Sequence, residues 1–80
     1  MSAETERKKL RRRILDDYRR NYSVPFWQAL RDNESEKMNK LATRSYDFKR
    51  GVCMALPHSR MDQAMNDVDI EVREEMGVKS

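Results

Sequence analysis

Six cations stand within seven residues at Arg7-Lys8-Lys9-Leu10-Arg11-Arg12-Arg13. Arginine and lysine at this density suit one kind of chemistry, the holding of a polyanion, and guanidinium groups add bidentate geometry toward phosphate oxygens. The phosphate backbone of DNA or RNA is the simplest partner, and an acidic protein surface is the other. Arg19 and Arg20 extend this surface, while Lys37, Lys40 and Arg44 make a weaker second patch. With about five cations on duplex phosphates, affinity would fall with salt at a log–log slope of roughly −4 to −5. Nothing codes for base readout: there is no zinc finger, no basic region joined to a zipper, and no glycine turn between paired short helices. An arginine-rich helix folded onto an RNA stem meets the same requirements. The plain alternative is a solvated helix end, or one paired with the chain's own acidic last helix.

Catalytic chemistry has few candidates. His58 is the single histidine and stands in a Pro-flanked turn with no nucleophile at a recognisable spacing, which reads as a solvent-exposed loop residue. Cys53 falls at the margin of an apolar stripe and reads as a structural thiol. Without a second Cys or His nearby, no zinc site forms. Two glycines cannot build a phosphate-cradling loop. Asp67, Asp69, Glu71, Glu74 and Glu75 spread around a helix and read as a solvated acidic face. The expectation is a non-enzymatic protein with no metal and no cofactor.

Composition narrows the setting. Eighty residues make one small domain over 1–80, and a chain of that size buries only roughly 60–65% of its unfolded surface. Hydrophobic residues are 38% and charged residues 39%, near the boundary where partners begin to assist folding. β-branched residues are few, which argues against a sheet. One cysteine excludes an internal disulfide and suits a reducing compartment. No apolar run approaches the ~18 residues of a membrane span, and the charged N-terminus has no apolar signal core. These features predict an intracellular, cytoplasmic protein. The net charge of +3 hides a gradient. Residues 1–22 hold eight Lys/Arg against four Asp/Glu, whereas residues 57–80 hold three against six. The front is basic and the back acidic.

The elements that must position these groups are helical. Ser2 is placed to cap a first helix, with Glu4 and Glu6 in its first turn. Leu10, Ile14, Tyr18 and Tyr22 recur at i+4 beside Leu15 as one apolar stripe. Arg7 and Arg11 fall in the extension of that stripe, where unpaired burial is prohibitive, so residues 1–12 are expected to project beyond the core. Ser23-Val24-Pro25 predicts a break, followed by a short helix whose Phe26 and Trp27 form the densest core. Tyr18, Tyr22, Phe26 and Trp27 read as core, with base stacking or partner anchoring as their functional alternative.

A third helix starts near Glu34 to Glu36 and carries Met38, Leu41, Ala42, Ser45, Phe48, Val52 and Leu56, with Lys37, Lys40, Arg44 and Asp47 on the opposite side. Gly51 serves there as a C-terminal cap or permits a close crossing. After Pro57-His58, Ser59 with Asp62 reads as a capping box. The last stripe is then Met61, Ala64, Met65, Val68, Val72 and Met76, stopped by Gly77. The expected fold is all-α, a bundle of three to four helices with a basic N-terminal and an acidic C-terminal helix. Methionine-rich stripes on so small a body also predict cover by a second chain, a homodimer being the simplest version.

Tyr18-Arg19-Arg20-Asn21-Tyr22-Ser23-Val24-Pro25-Phe26 resembles the helix-to-Pro turn of the theta-type accessory subunits of bacterial replicative polymerases. The resemblance covers nine residues and rests on aromatic and proline spacing; the basic block is not part of it. It implies a small helical protein that docks on a proofreading exonuclease. Two classes therefore compete. One is a small nucleic-acid-binding or regulatory protein, of a size that fits a phage-type or plasmid-type regulator. The other is a protein-interaction module such as an adaptor, inhibitor or polymerase-accessory-like subunit.

Overall fold

A computed structural model describes residues 3–78, and every regular element among them is helical. Helix α1 spans Ala3–Tyr18, α2 Val24–Arg31, α3 Ser35–Ala55 and α4 Met61–Glu75, with a π-helical turn at Arg19–Ser23. The Ser2 cap lies outside the described residues.

The break expected at Ser23-Val24-Pro25 does not occur. Val24 is right-handed helical at φ −59°, ψ −50°, and its N–H reaches the Arg19 carbonyl five residues back. Pro25 brings no N–H, and its ring crowds the carbonyl four residues earlier in an α-helical turn. One wider turn relieves that conflict without ending the helix. The chain is therefore continuously helical from Ala3 to Arg31.

Two true stops share one geometry. Asn33, at φ 58°, ends α2: its N–H bonds the Leu30 carbonyl at 3.2 Å, and the Glu34 N–H bonds the Ala29 carbonyl at 2.8 Å. Gly77, at φ 66°, ends α4 in the same way, with Gly77 on Glu74 and Val78 on Arg73, each at 3.1 Å. Both satisfy the last helical carbonyls through a left-handed residue. Gly51 does neither thing expected of it. Helix α3 runs through it to Ala55, and a Cβ placed there would meet nothing within 4 Å. Nor does Ser59 cap α4. Its hydroxyl donates to the Leu56 carbonyl at 2.6 Å, and Arg60 takes the cap position at φ 58°.

The core gathers on α4. Met61, Met65, Val68 and Val72 are buried together with Tyr18 of α1. Ile14 and Leu15 pack on one side, and Phe48, Val52 and Leu56 of α3 on the other. Phe26 and Trp27 are only half-buried, so they are not the densest part. That place belongs to the α4 stripe. The aromatic centre is Tyr18, Tyr22 and Phe48, with ring centroids 4.8–6.0 Å apart. Residues 3–10 are all exposed. The molecule is correspondingly long, 46 × 23 × 17 Å, and its radius of gyration of 13.6 Å exceeds the ~12 Å of a compact chain of this length.

Candidate functional site

The sequence-identified cations divide into two groups. Lys9, Arg12, Arg13 and Arg20 share one shallow outer surface with Asp16 and Asp17. At 100° per residue, Lys9, Arg12 and Arg13 turn away from Ile14 and Tyr18, which is why α1 presents them to solvent. These four, with Arg7 and Lys8, form no ion pair or side-chain hydrogen bond to another described residue. Four cations against two carboxylates leave the outer surface with a positive balance.

Arg11 and Arg19 are engaged within the molecule instead. Arg11 Nη1 donates to the Ser59 carbonyl, so the guanidinium in the extended stripe has the partner that its half-buried position requires. Arg19 Nη2 donates to both carboxylate oxygens of Glu75, at 2.7 and 2.8 Å, and its Nη1 lies 3.9 Å from Glu71. These glutamates lie one turn apart on α4, so a single guanidinium ties the π turn to α4. A neighbouring carboxylate raises Arg19 above its ordinary value. Exposed pairs of this kind contribute at most about 1 kcal/mol. In the second patch, Lys37 faces Glu34 at 3.7 Å and Lys40 faces Glu36 at 3.9 Å, while Arg44 is exposed and has no such partner among the described residues. It is a set of local helix pairs more than a field.

Asp69, Lys49 and Ser23, which the periodicity did not single out, form a polar network at the centre with Tyr18 and Ser45 of the apolar stripes. Asp69 accepts from the Tyr18 hydroxyl on Oδ2 at 2.6 Å and from the Ser23 hydroxyl on Oδ1 at 2.6 Å. Lys49 Nζ lies 3.2 Å from Oδ2 and 3.3 Å from Asn66 Oδ1. Ser45 Oγ is 3.3 Å from the Tyr18 hydroxyl, whose own proton is committed to Asp69, so Ser45 is the donor there. One carboxylate thus joins α1, the π turn, α3 and α4. Its signal in the sequence is slight: Asp69 follows Val68 directly and stands one turn after Met65, at the edge of the apolar stripe. A cleft of about 230 Å³ opens beside the network between Tyr22, Phe26, Trp27 and Tyr46.

Burial raises the Tyr18 hydroxyl above 10.0, and its bond to Asp69 raises it further. Burial alone lowers Lys49, but the Tyr18 hydroxyl and the Asp69 carboxylate outweigh that and leave it raised. The folded protein therefore holds both protons more tightly than the unfolded chain does. That stabilisation is complete below about pH 10 and is lost as pH rises through the folded values. The melting temperature is expected to be level from pH 7 to about 9.5 and to fall above about 10. Tyr18→Phe should cost about 1–2 kcal/mol at pH 7 and flatten the tyrosine part of that fall. A melting temperature unchanged up to pH 11 in the parent protein would contradict the assignment.

Among the described residues no three His, Cys, Asp or Glu side chains gather as a metal-ligand set, and no helix is long and apolar enough to cross a membrane. His58 is exposed and Cys53 half-buried. The segment resembling a helix-to-Pro turn is uninterrupted helix. No protein-family model, no curated protein and no solved structure matches this chain.

Proposed function

We propose that this chain is a small non-enzymatic nucleic-acid-binding protein that grips phosphates with the outer face of its basic N-terminal helix. The observation that carries the reading is the division among the cations. Lys8, Lys9, Arg12, Arg13 and Arg20 are exposed and have no ion-pair partner among the described residues, whereas Arg11 and Arg19 already serve the fold. A row of exposed cations on a rigid helix needs no rearrangement to lie along a phosphate track, and each phosphate neutralised releases counterions. Arg7, exposed at the start of the helix, turns instead toward the loop between α3 and α4 and stands outside the row. Lys37, Lys40 and Arg44 contribute less because two of them face glutamates.

Fluorescence anisotropy of labelled DNA and hairpin RNA at several salt concentrations tests this directly. With about four or five phosphate contacts, the log–log slope is expected at roughly −4 on duplex DNA and shallower on single strands. Absence of binding at 50 mM salt would turn the same face toward an acidic protein partner and sink the nucleic-acid reading.

A further inference from the structure

A second surface feature lies where the start of α1 meets the loop between α3 and α4. A groove of about 500 Å³ runs there, within the roughly 300–1,000 Å³ range of small-ligand sites. Leu10, Ala55, Leu56 and Pro57 make its apolar part, and Arg7, Arg11 and His58 its polar part; no carboxylate lines it. Leu10 is 44% exposed, a large apolar side chain left uncovered at this place.

The loop wall is fixed in position. The Ser59 N–H and hydroxyl both reach the Leu56 carbonyl, at 3.3 and 2.6 Å, and Arg11 donates to the Ser59 carbonyl. His58 and Arg60 hold left-handed backbones at φ 72° and 58°, a conformation that costs non-glycine residues about 1 kcal/mol or more each. That geometry sets His58 at the groove rim.

From this we infer that the groove receives one unpaired nucleotide of a bound strand, with its phosphate on Arg7 and His58 and its base on the apolar floor. The inference rests on the proposed nucleic-acid reading and narrows it to single-stranded or frayed substrates. Charge decides the sign of the occupant, since cations line the groove without an acid. Shape decides its kind. A paired duplex offers only phosphates and sugars to a concave surface and keeps its bases stacked inside, so it would leave the apolar floor uncovered. An unpaired nucleotide offers an anion and a flat, largely apolar body together. The groove also adjoins the surface of Glu6, Lys9 and Arg13, because Arg7 lines both, and two cations to one carboxylate leave that neighbour positive.

The experiment compares a labelled ten-residue oligothymidylate with a blunt ten-base-pair duplex, in the same buffer at 50 mM salt, against the full chain. The variants are Leu10→Asn, which alters an exposed side chain, and His58→Asn, which keeps a residue tolerant of the left-handed backbone. The parent protein is expected to prefer the single strand. Each variant should lose about fivefold on that strand, Leu10→Asn through the base on the floor and His58→Asn through one phosphate hydrogen bond, and almost nothing on the duplex. Thermal melting of each variant establishes that it is folded. Equal losses on both probes, or a parent preference for the duplex, would overturn the groove while leaving the phosphate-gripping face intact. A parent protein that binds neither probe would overturn both, and capture of an acidic, apolar peptide by the groove would then identify it as a protein-docking site.

Discussion

Asp69→Ala is expected to lower the melting temperature by about 12–24 °C, corresponding to a loss of about 3 kcal/mol in a domain of this size. The reason is that one carboxylate serves three donors from three different segments. Its removal leaves the Tyr18 hydroxyl, on a side chain that is 1% exposed, and the Ser23 hydroxyl, equally buried, without their acceptor. It also leaves the Lys49 ammonium without its counterion. Each buried donor so orphaned costs about 1–3 kcal/mol, and the partial exposure of Lys49 keeps its share at the low end. Eighty residues support a total stability of roughly 4–12 kcal/mol, so the variant gives up a large part of it. Asp69→Asn retains an acceptor in nearly the same place and should lose about half as much. Thermal and urea unfolding followed by circular dichroism measure both. A shift below about 4 °C for the alanine variant would show that water substitutes for the carboxylate.

Arg12→Glu combined with Arg13→Glu is expected to weaken nucleic-acid binding about 50- to 100-fold at 0.1 M salt and to reduce the magnitude of the salt slope by about 2. Each exposed cation in contact with a phosphate contributes close to one unit of slope, and reversal of charge removes two contacts and adds repulsion. Neither arginine pairs with another described residue, so the fold has little to lose. Arg19→Gln is the informative control. It removes the ion pairs to Glu71 and Glu75 at a cost of at most about 1 kcal/mol, and it should leave the slope unchanged because Arg19 already faces α4. A double reversal that binds as tightly as the parent protein would dismiss the outer face of α1 as the phosphate-binding surface. A slope lost in Arg19→Gln would mean instead that this guanidinium leaves its glutamates to meet the ligand.

Local patterns were legible without the fold. The three-four spacing of Met61, Met65, Val68 and Val72 marks one buried face, because any helix sets such residues on a single side. Gly77 stops that helix since its missing Cβ makes the left-handed turn inexpensive. The cation run at residues 7–13 is equally plain, charge density being a property of the chain itself. Pro25 shows where a local rule yields. The usual helix boundary before proline was set aside by a single π turn that accommodates the ring within a continuous helix.

Which charges remain available is settled by packing between helices. In the sequence Arg11, Arg12 and Arg13 are three adjacent arginines, and Asp69 and Glu75 are two members of an acidic tract. Folding brings Ser59 to Arg11, Glu75 to Arg19, and Tyr18, Ser23 and Lys49 to Asp69, across separations of 20 to 56 residues. Helical periodicity assigns a face to each residue but carries no information about what will stand opposite that face. A charge at the edge of an apolar stripe meets water if the neighbouring helix stops short and a hydroxyl if it does not. Sequence alone identified the all-helical class, the α4 core stripe and the basic block; the packing of α4 between α1 and α3 set which cations are bound internally and which remain outward.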